Sequence, residues 1–330
     1  MRPKDIALLL REIILDKNPP TIFLWGGPGI GKSTVVAEVA RDAGIGFCDQ
    51  RLALMDPTDL RGVVIPENRK AVWLPPESLP SDGEGILLLD ELTLAPPLVQ
   101  SSAYQLIQDK RLGEYILPKG WRIIAASNRA EHGANVFKMA YPLRNRFTHI
   151  EFDVNVDDWK EWAVKNGIQE EIIEFILFRP DLLYKFDPKL NEDAFASPRS
   201  WTACSNLLRL KEKISKNILQ ESIEGTIGKG VAAEFFGYLE IRKQLPSIEK
   251  ILAGENFVPD RIDVACAIVI ALAMRARTEQ FGHLVEYLNY LPADAAALLA
   301  KMLLTRDKAT VLRTSGWKDF ANSHAELLSD

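Results

Sequence analysis

The eight residues GGPGIGKS, from Gly26 to Ser33, constrain this chain more than any other segment. They fit the pattern G-x-x-x-x-G-K-[ST] and lie between the apolar run TIFLW, typical of a strand buried on both faces, and the helix-forming run STVVAEVA. In such a loop the backbone N–H groups point inward at phosphate oxygens, and the following helix N-terminus adds a partial positive charge. The sequence therefore predicts a nucleotide phosphate site rather than a structural turn.

Within this segment, Lys32 is expected to reach the β- and γ-phosphates, and the Ser33 hydroxyl is expected to bind Mg²⁺. The predicted nucleotide-binding residues here are the eight of the segment, Gly26, Gly27, Pro28, Gly29, Ile30, Gly31, Lys32 and Ser33, and the residue after it, Thr34.

Further apolar runs of the same kind alternate with helical patterns. They occupy residues 21–25, 46–52, 85–90, 121–127 and 148–153. This alternation predicts an α/β fold, a doubly wound parallel sheet of the P-loop type. From Val156 onward the pattern is helical to the end, which predicts a second, all-α region.

Polar side chains follow two of the predicted strands where each one ends. In ILLLDE, four apolar residues precede Asp90 and Glu91, and Asn128 follows the run RIIAAS. Ligands of an open α/β sheet bind at the carboxyl ends of its strands. We therefore expect Asp90 to hold the Mg²⁺ water shell, Glu91 to orient or deprotonate the attacking water, and Asn128 to position that water and the γ-phosphate.

Composition limits the classes of function. The 330 residues carry a net charge of −5, which argues against a surface built to neutralise nucleic-acid phosphates. The N-terminal segment predicts an amphipathic helix rather than a signal peptide, and the apolar run 265–274 is too short to span a membrane and predicts a core helix. Three scattered cysteines are typical of reduced thiols in a cytoplasmic protein.

The order GGPGIGKS, ILLLDE, AASN, PLRNRF and SPRSW resembles that of the AAA+ ATPases, as Walker A, Walker B, sensor 1, arginine finger and sensor 2. Within that superfamily the chain is most similar to the MoxR-like and dynein-related ATPases. The resemblance implies a nucleotide-binding domain over 1–153 with a helix-2 insert at about 63–75. It also implies a helical lid over 154–245, followed by a C-terminal helical extension over 246–330.

The resemblance also implies ATP and Mg²⁺ as cofactors and a homo-oligomeric ring, usually a hexamer, with ATP between adjacent subunits. Arg146 is then the preferred arginine finger for the neighbouring site, and Arg144 is the alternative or a second contact. Surface ion pairs are the other interpretation of both residues. Arg199 matches sensor 2 at the start of a helix for which Ser197 is the expected cap. In the insert, Trp73 either contacts a partner or packs on its own domain.

For a MoxR-like chain the first functional hypothesis is chaperone-like remodelling of protein partners, with a separate von Willebrand A-domain protein as adaptor. The alternatives are a nucleic-acid translocase or restriction-type motor and a metal-chelatase motor subunit. The acidic balance of the chain and the lack of a recognisable DNA-binding module disfavour nucleic acid. A non-catalytic scaffold is disfavoured because Lys32, Asp90, Glu91 and Asn128 are all present.

Overall fold

Nine strands form among the residues that the structure describes. They are β1 (Thr21–Trp25), β2 (Gly46–Arg51), β3 (Val63–Glu67), β4 (Lys70–Leu74), β5 (Glu84–Asp90), β6 (Arg111–Leu112), β7 (Tyr115–Ile116), β8 (Gly120–Ser127) and β9 (Phe147–Glu151). The computed structural model describes residues 1–129, 137–190 and 192–328.

A five-stranded parallel sheet organises the first half of the chain, in the order β2-β5-β8-β1-β9. The apolar runs predicted as strands all lie in this sheet. Leucines of β5 and isoleucines of β1 and β8 are buried on both faces, because helices cover both sides. The predicted doubly wound α/β fold is therefore confirmed.

Helices surround the sheet and make up the second half of the chain. They are α1 (Pro3–Leu15), α2 (Lys32–Ala43), α3 (Pro57–Arg61), α4 (Pro97–Asp109), α5 (Tyr141–Arg144), α6 (Val156–Lys165), α7 (Glu170–Phe178), α8 (Pro198–Leu208), α9 (Lys216–Ile227), α10 (Lys229–Lys243), α11 (Ile248–Leu252), α12 (Ile262–Arg275), α13 (Phe281–Tyr287), α14 (Ala293–Arg313), α15 (Trp317–Ser323) and α16 (Ala325–Leu328). Short 3₁₀ turns lie at Leu52–Leu54, Pro180–Leu182, Thr278–Gln280 and Leu288–Tyr290.

The chain divides into two compact units. The α/β unit comprises Met1–Trp162 with Tyr184–Ala203, and the helical unit comprises Ala163–Leu183 with Cys204–Asp330. The chain thus leaves the α/β unit after α6 begins, returns to it for residues 184–203, and leaves again within α8. The domain boundaries implied by the resemblance, at 153/154 and 245/246, stay predictions.

The helical unit is built around α12, whose apolar residues are almost all buried. The predicted core helix at 265–274 is confirmed, and no helix among the described residues is long and apolar enough to cross a membrane. The fully buried carboxylate of Glu174 accepts hydrogen bonds from Arg242 Nε at 2.5 Å and Arg275 Nη2 at 3.4 Å. Arg275 also pairs with Glu170 at 2.9 Å, so ion pairs join α7, α10 and α12.

The segment predicted as two short strands about a turn forms a hairpin of β3 and β4. Asn68 and Arg69 at its tip both have positive φ angles, 49° and 62°, which a two-residue hairpin turn of type I′ requires. Its apolar side chains are only partly covered: Val63 and Leu74 are each 53% exposed and Trp73 is 36% exposed. The hairpin therefore presents apolar surface.

Candidate nucleotide site

The carboxyl ends of three adjacent strands bring the predicted residues to one edge of the sheet. Trp25, the last residue of β1, pairs with Ser127, the last residue of β8, and Asp90 at the end of β5 pairs with Ala126. The loop after β1, the acidic pair after β5 and Asn128 after β8 are therefore neighbours. The pairing follows from strand register, which the sequence alone does not give.

The loop between β1 and α2 needs its glycines for two separate reasons. Gly29 and Gly31 have positive φ angles of 75° and 100°, a region that side chains disfavour. A carbon added to Gly26 would lie 3.0 Å from the backbone oxygen of Phe152, and one added to Gly27 would lie 1.8 Å from the Tyr184 hydroxyl. The loop is thus both turned and tightly enclosed.

Lys32 begins α2 and is 8% exposed. Its ammonium donates hydrogen bonds to the backbone oxygens of Gly26 at 2.9 Å and Gly27 at 2.8 Å, and to Asn128 Oδ1 at 2.8 Å. Among the described residues no carboxylate lies within ion-pair distance of it. The pKa of Lys32 is lowered to about 8: burial is the main cause, the charge of Asp90 opposes it, and the positive charge of Arg199 adds to it.

These features fit the phosphate chain of a nucleotide. A buried ammonium without a carboxylate partner is a costly group that an anion would stabilise. The backbone N–H groups of the loop and the N-terminus of α2 lie beside the Lys32 ammonium, and all of them favour an anion. The position of Lys32 is therefore compatible with its predicted role at the phosphates. Two further residues predicted to bind nucleotide differ in exposure: Ile30 is buried, and Thr34 is exposed on α2.

Ser33 and Asp90 supply the oxygen atoms that a magnesium ion prefers. The Ser33 hydroxyl donates to Asp90 Oδ2 at 2.6 Å, so the two predicted metal-binding residues are in direct contact. Asp49 on β2 adds negative charge nearby. Burial raises the pKa of Asp49, and the charge of Asp90 raises it further, so a cation at this position would stabilise both carboxylates.

Glu91 has an unusual backbone conformation. Its φ angle is +57°, which is uncommon and costly for a residue with a side chain. The turn is held because Glu91 N donates to Asp90 Oδ1 at 2.9 Å and Leu94 N donates to the Glu91 carbonyl at 2.9 Å. Glu91 thus directly follows the end of β5, and its role with the attacking water stays a prediction.

Asn128 is fixed on two sides. Its side-chain oxygen accepts from Lys32, and its carbonyl accepts from Thr93 Oγ1 at 3.3 Å. Thr93 also lies 2.5 Å from the hydroxyl of Ser127. Thr93 and Ser127 therefore tie the end of β8 to the turn after β5, a contact that no motif in the sequence indicated.

Arg199 lies beside the loop within the α/β unit. Its backbone N donates to the Gly29 carbonyl at 3.1 Å. The expected cap is present, since Ser200 N donates to Ser197 Oγ at 3.2 Å and Pro198 is the first residue of α8. Tyr184, which touches Gly27, is another residue that sequence reasoning missed, because it stands in a segment without a motif.

Arg144 and Arg146 lie at the opposite end of the sheet. Arg146 directly precedes β9, whose first residue, Phe147, pairs with Thr21 at the start of β1. The loop follows the far end of β1, so at about 3.3 Å per residue the two ends are roughly 15 Å apart. Both arginines are exposed and, among the described residues, neither makes an ion pair. Surface ion pairs, the other interpretation of these two arginines, are not found for either of them among the described residues.

Comparison with known proteins matches one family model to part of the chain. Residues 21–147 match the family model of the AAA domain of the dynein-related subfamily. No curated protein matches the chain in sequence.

Among solved structures, the Holliday junction branch migration motor RuvB of Thermotoga maritima is 19% identical, with 76% of this chain and 73% of that chain covered and a TM-score of 0.40. NtrX from Brucella abortus in complex with ADP is 16% identical, with 98% and 68% covered and a TM-score of 0.40. Likeness at this level carries no argument about what this chain binds or acts on.

Nucleotide binding is expected to take up protons at pH 8. With a pKa of about 8, about half of the Lys32 side chains are neutral at that pH, and a bound phosphate restores the charged form by raising the pKa. Affinity should accordingly fall as pH rises above 8. Calorimetric titration with ADP and Mg²⁺ in buffers of different ionisation enthalpy should give an uptake of about half a proton per nucleotide.

Lys32→Arg is the matched control, because a guanidinium stays charged at this pH. It should bind with little proton uptake. Equal uptake by the two proteins would contradict the assignment to Lys32.

Proposed function

We propose that this chain, which belongs to the AAA+ ATPases through the dynein-related AAA domain at residues 21–147, is the subunit of a ring motor that uses ATP to remodel protein partners. The main support for a ring is the distance of Arg146 from the nucleotide loop of its own chain. A head-to-tail contact that closes on itself gives every subunit the same neighbour. Six subunits are the expected number.

Hydrolysis would use residues already gathered at the sheet edge. Lys32 and Arg199 would bind the phosphates, while Ser33 and Asp90 would hold Mg²⁺, which neutralises developing charge on the phosphates when bound. Glu91 would orient the attacking water and accept its proton. Asn128, released from part of its contact with Lys32, would position that water.

Arg146 would complete the site of the next subunit. It is exposed and lies at the far end of the sheet from its own site, so its cationic side chain is available to a neighbouring chain. An arginine supplied in this way stabilises charge on the transferring phosphoryl group and contributes roughly 10³ to 10⁵ in rate where measured. Arg144, whose guanidinium lies 5.8 Å from the Tyr141 ring centroid, would be a second contact.

The β3–β4 hairpin supports a protein as the object of the motor. Its exposed apolar residues, Val63, Trp73 and Leu74, offer surface that a protein segment can cover, and Arg69 and Lys70 flank its tip. We propose a von Willebrand A-domain protein as the adaptor that delivers the target. The net charge of −5 gives no general attraction for nucleic acid.

Arg146→Ala is expected to bind ATP with unchanged affinity and to lose about 10³-fold in turnover. Mixing it with Lys32→Ala should restore part of the activity, because sites then form between an intact loop and a neighbour's intact Arg146. Steady-state ATPase assays over a series of mixing ratios measure this. If no ratio gives recovery, Arg146 does not act between chains.

The ATPase rate is expected to change less than about twofold when DNA or RNA is added at moderate salt, since a net charge of −5 gives no general attraction for phosphates. Strong stimulation by DNA or RNA would instead favour the translocase.

Trp73→Ser, at the hairpin, should leave the basal ATPase rate unchanged and abolish any stimulation by a co-purifying adaptor.

A further inference from the structure

The Tyr184 hydroxyl is a buried polar group without a hydrogen-bond partner among the described residues. It touches the phosphate loop, since a carbon built on Gly27 would lie 1.8 Å from it. The ring is held in place beside the sheet core and lies 6.3 Å from Phe186, which packs on Phe195 at 4.6 Å. The hydroxyl is therefore an unused donor fixed at the loop backbone.

The ammonium of Lys32, in contrast, uses all of its hydrogen-bond donors. An ammonium has three N–H donors, and those of Lys32 meet three acceptors in this chain: the carbonyls of Gly26 and Gly27 and the side chain of Asn128. Any hydrogen bond from Lys32 to a phosphate must therefore release at least one of them. A released carbonyl in this buried loop needs another donor.

We infer that Tyr184 is a positioning residue whose hydroxyl takes over the Gly27 carbonyl when Lys32 turns to a nucleotide phosphate. The donor lies beside the residue that carries the acceptor, because a carbon built on Gly27 would collide with the hydroxyl and the Gly27 carbonyl is the one that Lys32 holds. The exchange leaves both groups satisfied in the bound state. Before the exchange the hydroxyl has no hydrogen-bond partner among the described residues.

This inference rests on nucleotide binding at the loop and is independent of the ring and of the protein partner. It gives Tyr184 opposite effects in the two states. Without nucleotide, the buried hydroxyl destabilises the protein. With nucleotide, the same hydroxyl stabilises the loop conformation in which Lys32 is free to bind phosphate.

Tyr184→Phe tests this directly, because it removes only the hydroxyl. The melting temperature of the nucleotide-free protein should stay the same or rise. The Kd for ADP and for ATP, measured by calorimetry or with a fluorescent analogue, should increase by about 3- to 10-fold, the effect of one neutral hydrogen bond.

Tyr115→Phe is the matched control in the same unit. Its hydroxyl already donates to the Pro80 carbonyl at 2.7 Å. This variant should lower the melting temperature without nucleotide and leave both Kd values unchanged. If Tyr184→Phe behaves like this control, the hydroxyl is merely structural and the inference is overturned.

Lys32→Met identifies the acceptor. Without the ammonium, the Gly27 carbonyl is free in the nucleotide-free protein, so the Tyr184 hydroxyl should bond to it at once. Tyr184→Phe should then lower the melting temperature in the Lys32→Met background, although it does not in the wild-type background. An identical effect in both backgrounds would contradict the exchange, even if nucleotide affinity falls.

Discussion

The buried ammonium of Lys32 is the interaction on which the nucleotide site depends. It joins the loop after β1 to Asn128 after β8, and its three hydrogen bonds occupy all of its donors. Because no carboxylate among the described residues neutralises it at close range, the charge is costly until an anion arrives. Burial lowers its pKa to about 8, so this cost has a measurable signature. The loop therefore surrounds a positive charge that a bound anion would neutralise.

Around this charge, strand order determines which residues can act together. The order β2-β5-β8-β1-β9 places β8 between β1 and β5, so Asn128 lies between the loop and the acidic pair. The same order places Arg146 at the start of β9, an edge strand, at the end of the sheet away from the loop. The parallel sheet thus keeps one set of predicted site residues at one edge and Arg146 at the other. The set consists of Lys32, Ser33, Asp90, Glu91 and Asn128. This separation is the physical basis for assigning Arg146 to a neighbouring chain.

Much of this could be predicted from the sequence, because the signals are local. The glycines at positions 29 and 31 indicate left-handed backbone, the apolar runs indicate buried parallel strands, and Ser197 with Pro198 indicates a helix start. The contacts of Tyr184, Thr93 and Ser127 could not be predicted, because they join residues far apart in sequence and carry no motif. The positive φ of Glu91 was equally hidden, since a glutamate gives no signal for it. The course of the chain through residues 184–203, which return to the α/β unit, depends on packing rather than on periodicity.

The proposed ring requires that a second chain complete each nucleotide site. The most direct measurement is the mass of the Glu91→Gln protein by sedimentation, with and without ATP and Mg²⁺, since this variant should bind ATP without consuming it. We expect ATP to shift the protein to a single closed oligomer, six subunits in size, and to find smaller species without ATP. A protein that remains monomeric at saturating ATP over a wide range of protein concentrations would contradict the account.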